Sequence, residues 1–280
     1  CRHTALDASV WAGVERLVYW LLFPVLLFSS ILRSHLEPSA DLAFAASGMA
    51  ISLVGFGLAA ALRGVRGVDL HRQASGAQVA FRFNSYVALA LAERVGGGQA
   101  LAWIALLLAV CVPISNAGAV WALARHGGQK ILREMVRNPL ILATVGGLLC
   151  NLAGLRLPQV VDITCTRIGS AALPLGLMAV GAGLQLGSLA AAPRLAGALL
   201  GIRHAVLPAL GLALGLALAL PHGQAQTLAI FAALPTASSC YVLANRMGGD
   251  GPYVAGLVTT STLLGMLSLP IVLMGFELLH

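Results

Sequence analysis

Charged side chains are scarce in this sequence, and their scarcity argues against a water-soluble fold. Asp, Glu, Lys and Arg make up 10% of the 280 residues, while 59% are hydrophobic and the mean hydropathy is +0.89. A soluble domain carries roughly 25% charged residues, because its surface faces water. Aromatic residues are also few, at 6%, and much of the apolar content comes from small residues that let membrane helices pack closely. We therefore expect the solvent of this chain to be a lipid bilayer.

The sequence also lacks the features that are typical of several other classes of protein. The apolar runs do not alternate with polar residues as a transmembrane β-strand would. The five cysteines are scattered without a C-x-x-C pair, so neither a metal site nor a disulfide framework is predicted. No nucleophile–base set is visible, so we expect neither an enzyme nor a cofactor. The net charge of +7 comes from short basic clusters between apolar segments, so nucleic acid is not an expected partner.

Apolar segments of nearly span length recur along the whole chain. A membrane span needs about 20 apolar residues, and the linkers between the segments are short. The sequence therefore predicts an all-α polytopic membrane protein with about nine helices. The predicted segments are 14–32, 42–62, 73–92, 100–124, 138–155, 168–186, 195–220, 224–245 and 254–279.

Three pairs of short stretches repeat in the same order, which indicates an internal repeat. The stretch 22–31 resembles 172–181, the stretch 84–97 resembles 236–249, and CVPI at 111–114 resembles SLPI at 268–271. The offsets are 150, 152 and 157 residues. The second copy begins with the segment 138–155, and the partner of that segment would precede Cys1. We therefore expect the intact protein to have one more helix than this chain.

The repeat predicts two units, each built from five transmembrane helices. Residues 1–137 would form the first repeat, without its first helix, together with a cytoplasmic linker, and residues 138–280 would form the second. An odd number of helices per copy inverts the second copy in the membrane, and inverted repeats are typical of secondary transporters. With the central linker in the cytoplasm, eleven Lys and Arg residues lie inside and four outside, as the positive-inside rule requires.

Two matched polar stretches interrupt the apolar pattern and form the predicted substrate site. A break in each segment would expose backbone N–H groups at the N-terminus of a half-helix, and such groups attract an anion. No acidic residue falls clearly within a span, which favours an anion as substrate because a buried carboxylate would repel it. Asn116 is a further candidate, because an asparagine in a membrane needs partners. The predicted substrate-binding residues are Arg82, Asn84, Ser85, Asn116, Pro235, Thr236, Ser238 and Ser239.

Three polar features have a second interpretation. Arg82 is either a ligand, as an intramembrane charge usually is, or an arginine that snorkels to the interface. Arg203 and His204 lie nearer the start of their segment, so snorkelling is the favoured interpretation there. The polar run 259–262 is expected to make helix–helix hydrogen bonds.

Long stretches of the chain resemble the auxin efflux carrier family in its bacterial, malonate- and dicarboxylate-transporter-like branch. They are RNPLILATVGGLLCNLAGLRLPQVV at 137–161, ALPLGLMAVGAGLQL at 172–186 and LPTASSCYVLANRMGGDGPYVAGLVTTSTLLGMLSLP at 234–270. The resemblance implies a fold like that of bile-acid sodium symporters, in which two broken helices, here 73–92 and 224–245, cross near the midplane. It also implies elevator-type transport of an organic carboxylate and a homodimer. Only the second crossover keeps a proline, so if one helix alone is broken, it should be that one.

The sequence thus predicts a multi-pass membrane transporter of small anions, and the resemblance implies that it lies in the bacterial inner membrane and carries carboxylates such as malonate or malate. Its partners would be the carboxylate, the lipid bilayer, a second copy in a homodimer, and a coupling ion, either a proton or sodium. Unwound backbone carbonyls can hold sodium without an acidic residue, so a sodium-coupled symporter of the bile-acid type stays an alternative. A receptor or scaffold that transports nothing is the other alternative.

Overall fold

The structure, a computed structural model, describes residues 8–33, 41–127, 137, 139–172, 174–176, 178 and 188–279. Its regular structure is helical. The helices are α1 (Ala8–Leu17), α2 (Phe23–Arg33), α3 (Leu42–Ala61), α4 (Leu70–Gly76), α5 (Gln78–Phe81), α6 (Ser85–Gly127), α7 (Pro139–Leu152), α8 (Gln159–Ser170), α9 (Pro193–Gly201), α10 (Leu207–Ala217), α11 (His222–Ala233), α12 (Ser239–Arg246) and α13 (Gly251–Leu279).

The described helices include five that are long and apolar enough to cross a bilayer. They correspond to five of the nine predicted segments, and the chain is an all-α polytopic membrane protein. The five helices are Ser9–Arg33, Leu42–Gly64, Trp103–Ala124, Pro193–Ala217 and Gly251–Leu279.

Two other predicted segments correspond to shorter helices with different bounds. The segment 138–155 corresponds to α7, which has 14 residues. The prediction for 168–186 placed the helix start wrongly, because α8 begins at Gln159, directly after Pro158. Proline suits the start of a helix, where no N–H donor is needed, and Asp162 in the first turn complements the helix dipole. Residues 173, 177 and 179–186 of that segment lie outside the described residues.

Two of the long spans contain a π-helical turn that comes just before a proline. Val18–Leu22 joins α1 to α2 and is followed by Pro24, and Ile202–Val206 joins α9 to α10 and is followed by Pro208. Proline lacks the N–H that would close the preceding turn, so the helix widens there. The second of these turns carries Arg203 and His204.

The segment predicted at 73–92 is broken, although it contains no proline. Its first part, α4 and α5, ends at Phe81, and Arg82 is extended with φ −83° and ψ 139°. The helix resumes at Ser85 because Asn84 caps the new N-terminus: its Oδ1 accepts hydrogen bonds from the N–H groups of Tyr86 (3.0 Å) and Val87 (3.2 Å).

The segment predicted at 224–245 is broken at its proline, as expected. α11 ends at Ala233, and Leu234 is extended with φ −55° and ψ 142°. The residue before a proline is pushed out of the helical region, so Pro235 explains this conformation. The helix resumes at Ser239. Both segments are therefore broken, not the second alone.

The two breaks cross and satisfy each other's backbone groups. Phe83 and Thr236 form an antiparallel bridge, and the N–H of Asn84 donates to the Pro235 carbonyl at 2.9 Å. The Thr236 hydroxyl donates to the Arg82 carbonyl at 3.1 Å. An unsatisfied backbone group costs several kcal/mol away from water. The first segment can therefore break without a proline, because the second supplies the partners.

The broken segments match in length and in their ends. α4 begins at Leu70 and α11 at His222, which is the offset of 152 residues found in the sequence. Beyond each break the chain reaches a glycine in the left-handed region, Gly97 with φ 58° and Gly248 with φ 71°. Glycine adopts this conformation without steric cost. Gly97 interrupts α6, and Gly248 follows α12, so a glycine of each matched Gly-Gly pair ends the half-helix.

Polar contacts tie the ends of the crossing segments together. Arg72, in α4, pairs with Asp250, which follows α12, at 3.0 Å, and the Asp250 N–H donates to Ser75 at 2.9 Å. Asp69 caps α4, and hydrogen bonds from the N–H groups of Arg72 and His71, together with the Arg72 charge, lower its pKa. The predicted topology places all of these residues on the cytoplasmic side.

Candidate functional site

A cavity of about 80 Å³ lies where the two broken segments cross. Its wall is formed by the first helix with its π-turn, both breaks with the half-helices that follow them, α6 around Pro113, α13, and Gly176. The residues that line it are Glu15, Val18, Tyr19, Phe23, Arg82, Phe83, Asn84, Ser85, Tyr86, Val112, Ser115, Asn116, Gly176, Ala237, Ser238, Ser239, Tyr241, Val242, Ala255, Val258 and Thr259.

Arg82 brings a buried positive charge to this wall. The side chain is 4% exposed, so it does not extend to an interface as the snorkelling interpretation requires. Its Nη1 donates to Oε1 of Gln78 and its Nη2 to Oγ of Ser239, each at 2.8 Å. Both partners are neutral, and within the described ranges no carboxylate pairs with Arg82. The guanidinium is therefore held by hydrogen bonds to neutral groups and forms no ion pair with a described residue.

Asn84 and Ser85 line the cavity at the N-terminus of α6. The prediction that this half-helix end offers free N–H groups needs correction, because the Oδ1 of Asn84 already accepts from two of them. The cap turns the oxygen of Asn84 toward its own helix. Its Nδ2 amide is the group that no described residue engages, so Asn84 offers the cavity a neutral donor.

Ser238 and Ser239 line the cavity at the N-terminus of α12. Ser238 occupies the N-cap position without a side-chain cap hydrogen bond, whereas the Ser239 hydroxyl accepts from Arg82. This half-helix therefore brings its positive dipole end and one uncommitted hydroxyl to the cavity.

Pro235 and Thr236 lie behind the cavity and do not line it. Thr236 is fully buried, and its N–H donates to the Ser261 hydroxyl at 2.9 Å. Pro235 accepts from Asn84 and lies against Gly265, where an added Cβ would come within 3.1 Å of the ring. The structure assigns both residues to the crossing itself, whereas the sequence predicted them as substrate contacts.

Ser115 and Asn116 bring unpaired polar atoms to the cavity. Both are buried, and neither Oγ of Ser115 nor Nδ2 of Asn116 has a hydrogen-bond partner in the part of the chain that the structure describes. Buried polar groups are nearly always paired, so a polar ligand or water is needed to satisfy them. The structure thus brings six of the eight predicted residues together at one cavity.

Sequence analysis missed several residues of the wall, most notably Glu15. Glu15 lies at the start of the predicted segment 14–32, and the structure puts it among the residues that line the cavity. Tyr86 packs on Phe23 with ring centroids 4.8 Å apart. Gly176 faces Tyr86 so closely that an added Cβ would lie 2.5 Å from the ring. The sequence offered a signal for Tyr86, because this residue directly follows the predicted site residue Ser85. It offered no local signal for Gly176.

Arg203 is buried and His204 is half-buried, and both make polar contacts at the crossover, so the snorkelling prediction is wrong for both. Arg203 is 1% exposed, and its Nε donates to the Leu234 carbonyl at 2.6 Å. The ring nitrogens of His204 contact the hydroxyls of Ser268 at 2.9 Å and Ser261 at 2.8 Å. Both residues lie in the π-turn Ile202–Val206.

The polar run in α13 divides into two kinds of contact. Thr259 and Thr262 donate to carbonyls four residues back in their own helix, at 2.9 and 2.8 Å. Ser261 is the member that bonds other segments, through Thr236 and His204. The expected helix–helix hydrogen bonds are therefore made at Ser261.

The arrangement is suited to binding an anion. A buried guanidinium, two amide donors, serine hydroxyls and a helix N-terminus converge on one small cavity, and Glu15 is its acidic group. Within the described ranges, no group of His, Cys, Asp and Glu could hold a metal ion.

Comparison with known proteins gives the same class of function. The family model described as membrane transport protein, the domain of the auxin efflux carrier family, matches residues 122–273, which is more than half of the chain. The chain belongs to the auxin efflux carrier family. Members of this family are transporters, and the chain is therefore an integral, multi-pass membrane transporter. No curated protein matches the chain.

Proposed function

We propose that this auxin efflux carrier family protein is a secondary transporter of small organic anions, with a carboxylate bound at the crossing of the two broken segments. The observation that carries the proposal is the buried guanidinium of Arg82 in the cavity wall, held by neutral partners alone among the described residues. A buried charge is costly unless it is paired. A carboxylate in the cavity supplies the missing counter-charge.

The unpaired atoms beside Arg82 favour a ligand with several acceptors. Nδ2 of Asn116 is a buried donor without a described partner, and Ser115 and Ser238 add hydroxyls. A carboxylate has two oxygens and about four lone-pair sites, so a dicarboxylate can satisfy donors on both sides of the cavity. Malonate and malate have this chemistry.

The size of the cavity limits the substrate to a small molecule. One water needs roughly 10–15 Å³ of such space, so a cavity of about 80 Å³ holds several waters or a short dicarboxylate. The Tyr86 ring and Gly176 bound the cavity on one side, which restricts it further.

We propose elevator-type alternating access as the mechanism. Residues 1–137 and 138–280 would be two inverted repeats, as their matched broken segments suggest, in a fold like that of bile-acid sodium symporters. The crossing segments would carry the anion across the bacterial inner membrane against the rest of the protein, which would form a homodimer. The mutual hydrogen bonds of the two breaks favour movement as one body.

Uptake into proteoliposomes tests the proposal directly. Purified protein should accumulate labelled malonate or malate, and each should raise the melting temperature by mass action. Arg82→Ala should weaken the apparent affinity by about 10- to 100-fold, since a hydrogen bond to a charged group contributes about 1.5–3 kcal/mol. Arg94→Ala removes an exposed arginine near the C-terminal end of the same half-helix and should leave the affinity unchanged.

Two results would contradict the proposal. If a panel of short mono- and dicarboxylates neither shifted the melting temperature nor entered the vesicles, the anion assignment would be wrong. If the carboxylates bound but none crossed the bilayer, the protein would be a receptor. Arg82→Ala with unchanged affinity would remove that residue from the site.

A further inference from the structure

The C-terminal end of α11 lies inside the protein, and an arginine occupies it. A helix that stops leaves its last carbonyls without intrahelical partners and carries a partial negative charge there. At Ala233 the helix stops at the crossover, where solvent cannot serve all of these groups, since Phe231, Ala232 and Leu234 are each buried. The break therefore creates a site for a cation.

Arg203 fills this site from the neighbouring span. Its Nε donates to the Leu234 carbonyl at 2.6 Å, and its Nη2 lies 3.3 Å from the Phe231 carbonyl and 3.4 Å from that of Ala232. All three oxygens belong to the end of one half-helix. Within the described ranges, no carboxylate pairs with this guanidinium, so the carbonyls are its counter-charge.

The π-turn that carries Arg203 holds both sides of the same break. His204, the next residue, contacts the Ser261 hydroxyl, which accepts from the N–H of Thr236. Arg203 thus donates to the carbonyls before Pro235. His204 contacts the Ser261 hydroxyl, and this hydroxyl accepts from the first backbone N–H after Pro235, that of Thr236. An offset of 152 residues maps Arg203 onto Ile51, so the first copy has no such group.

Unwound carbonyls and half-helix C-termini are the groups with which secondary transporters coordinate coupling cations. We infer that Arg203 is a built-in cation at this position, so that the carboxylate crosses the membrane without a sodium ion bound at the end of α11. The inference rests on the proposed transport of a carboxylate and specifies its energetics. The fixed charges of Arg82 and Arg203, both at the crossover, compensate the charge of the cargo in place of a co-transported metal ion.

The first test compares sodium with an inert cation. Uptake of labelled malonate by the unaltered protein should proceed at the same rate when choline replaces sodium on both sides of the vesicle. A requirement for a sodium gradient would overturn the inference. A protein that took up no carboxylate in either salt would contradict the proposed function, and the melting experiment below would still decide the role of Arg203.

The second test empties the site. Arg203→Ala should lower the uptake rate about tenfold or more, because buried carbonyls lose their donors, and millimolar guanidinium should restore part of it. The same addition should raise the melting temperature of Arg203→Ala and leave that of the unaltered protein unchanged. Arg194→Ala, an exposed arginine at the start of the same span, is the matched control and should show neither effect.

Arg203→Lys covers the case in which the alanine variant does not fold. Lysine keeps the charge but cannot bond three carbonyls through a planar fork, so this variant should fold, melt lower and be stabilised by guanidinium less than Arg203→Ala. If both variants melted as the unaltered protein does, or if guanidinium changed the melting temperature of neither variant, Arg203 would only fill space and the cation site would not exist.

Discussion

At the scale of single residues, some polar side chains at the cavity have hydrogen-bond partners among the described residues and others do not. Arg82 is positioned by Gln78 and Ser239, whereas the buried amide of Asn116 has no described partner. An unpaired buried donor costs about 1–3 kcal/mol. The protein tolerates this cost where a ligand can recover it, so Asn116 should matter more for binding than for folding.

We predict that Asn116→Leu makes the empty protein more stable and the site inactive. Leucine has nearly the same size and removes the unpaired amide, so the melting temperature without ligand should rise by a few degrees. The stabilisation by malonate should disappear in the same variant. Both are measured by thermal melting with and without the anion. A lower melting temperature of Asn116→Leu without ligand would contradict the prediction, because it would show that the Asn116 amide already makes a stabilising hydrogen bond in the ligand-free protein.

The position of charge within the cavity could be predicted only in part from the sequence. Arg82, Asn84, Ser238 and Ser239 were identifiable because polar residues interrupt apolar runs at matched places. Glu15 was not, because its place at the cavity depends on how the first helix packs against segments more than 60 residues away. Arg203 was misjudged for a related reason: its partners exist only because another helix breaks at Pro235.

At the scale of the helical elements, the breaks are stabilised by caps and by each other. Asn84 caps α6 with its oxygen and presents its amide to the cavity. The two roles use different atoms of one side chain. They can therefore be separated by a substitution that preserves the oxygen and changes the charge.

We predict that Asn84→Asp folds and no longer binds carboxylates. Aspartate is an equally good N-cap residue and is favoured by the helix dipole, so the melting temperature should change little. Its negative charge faces the cavity, and repulsion should weaken anion binding by about tenfold or more. Asn84→Ala is the contrasting variant: it loses the cap, which costs about 1 kcal/mol, but adds no charge. Unweakened binding in Asn84→Asp would place the carboxylate away from α6.

The breaks also show where prediction from the sequence is limited at this scale. Pro235 indicated the second break through its own local chemistry. The first break has no local signal, since its backbone groups are satisfied by residues about 150 positions later in the chain. The pattern of apolar residues therefore does not reveal the first break. The internal repeat did suggest it, because the first segment matches the second.

At the scale of the whole molecule, polar contacts join regions that the basic residues assign to the same side of the membrane. Arg72 pairs with Asp250 at the predicted cytoplasmic side. Gln224 donates to Asp41 at 2.8 Å, and Arg33 pairs with Asp162 at 2.8 Å, both at the predicted outer side. Each pair links distant parts of the chain, and none joins opposite sides.

We predict the orientation from the same assignment. A cysteine at Arg156 should react with a membrane-impermeant maleimide in intact bacterial spheroplasts, and a cysteine at Arg66 should react only after permeabilisation. Both positions are exposed, and the native cysteines are replaced in the background used. If the cysteine at position 66 reacted in intact spheroplasts and the one at position 156 only after permeabilisation, the predicted topology would be inverted. The excess of basic residues would then lie outside, against the positive-inside rule.

The reciprocal hydrogen bonds at the crossing have a consequence for biosynthesis. Helices of a membrane protein enter the bilayer from the N-terminus onward, so residues 82–84 are made long before Pro235 and Thr236, which pair with them. During that interval an open backbone segment would stand in oil without partners. The nascent first crossover must therefore stay helical, or wait in the insertion machinery, and it opens when its counterpart arrives. We therefore expect the crossing to form only after Pro235 and Thr236 have been made.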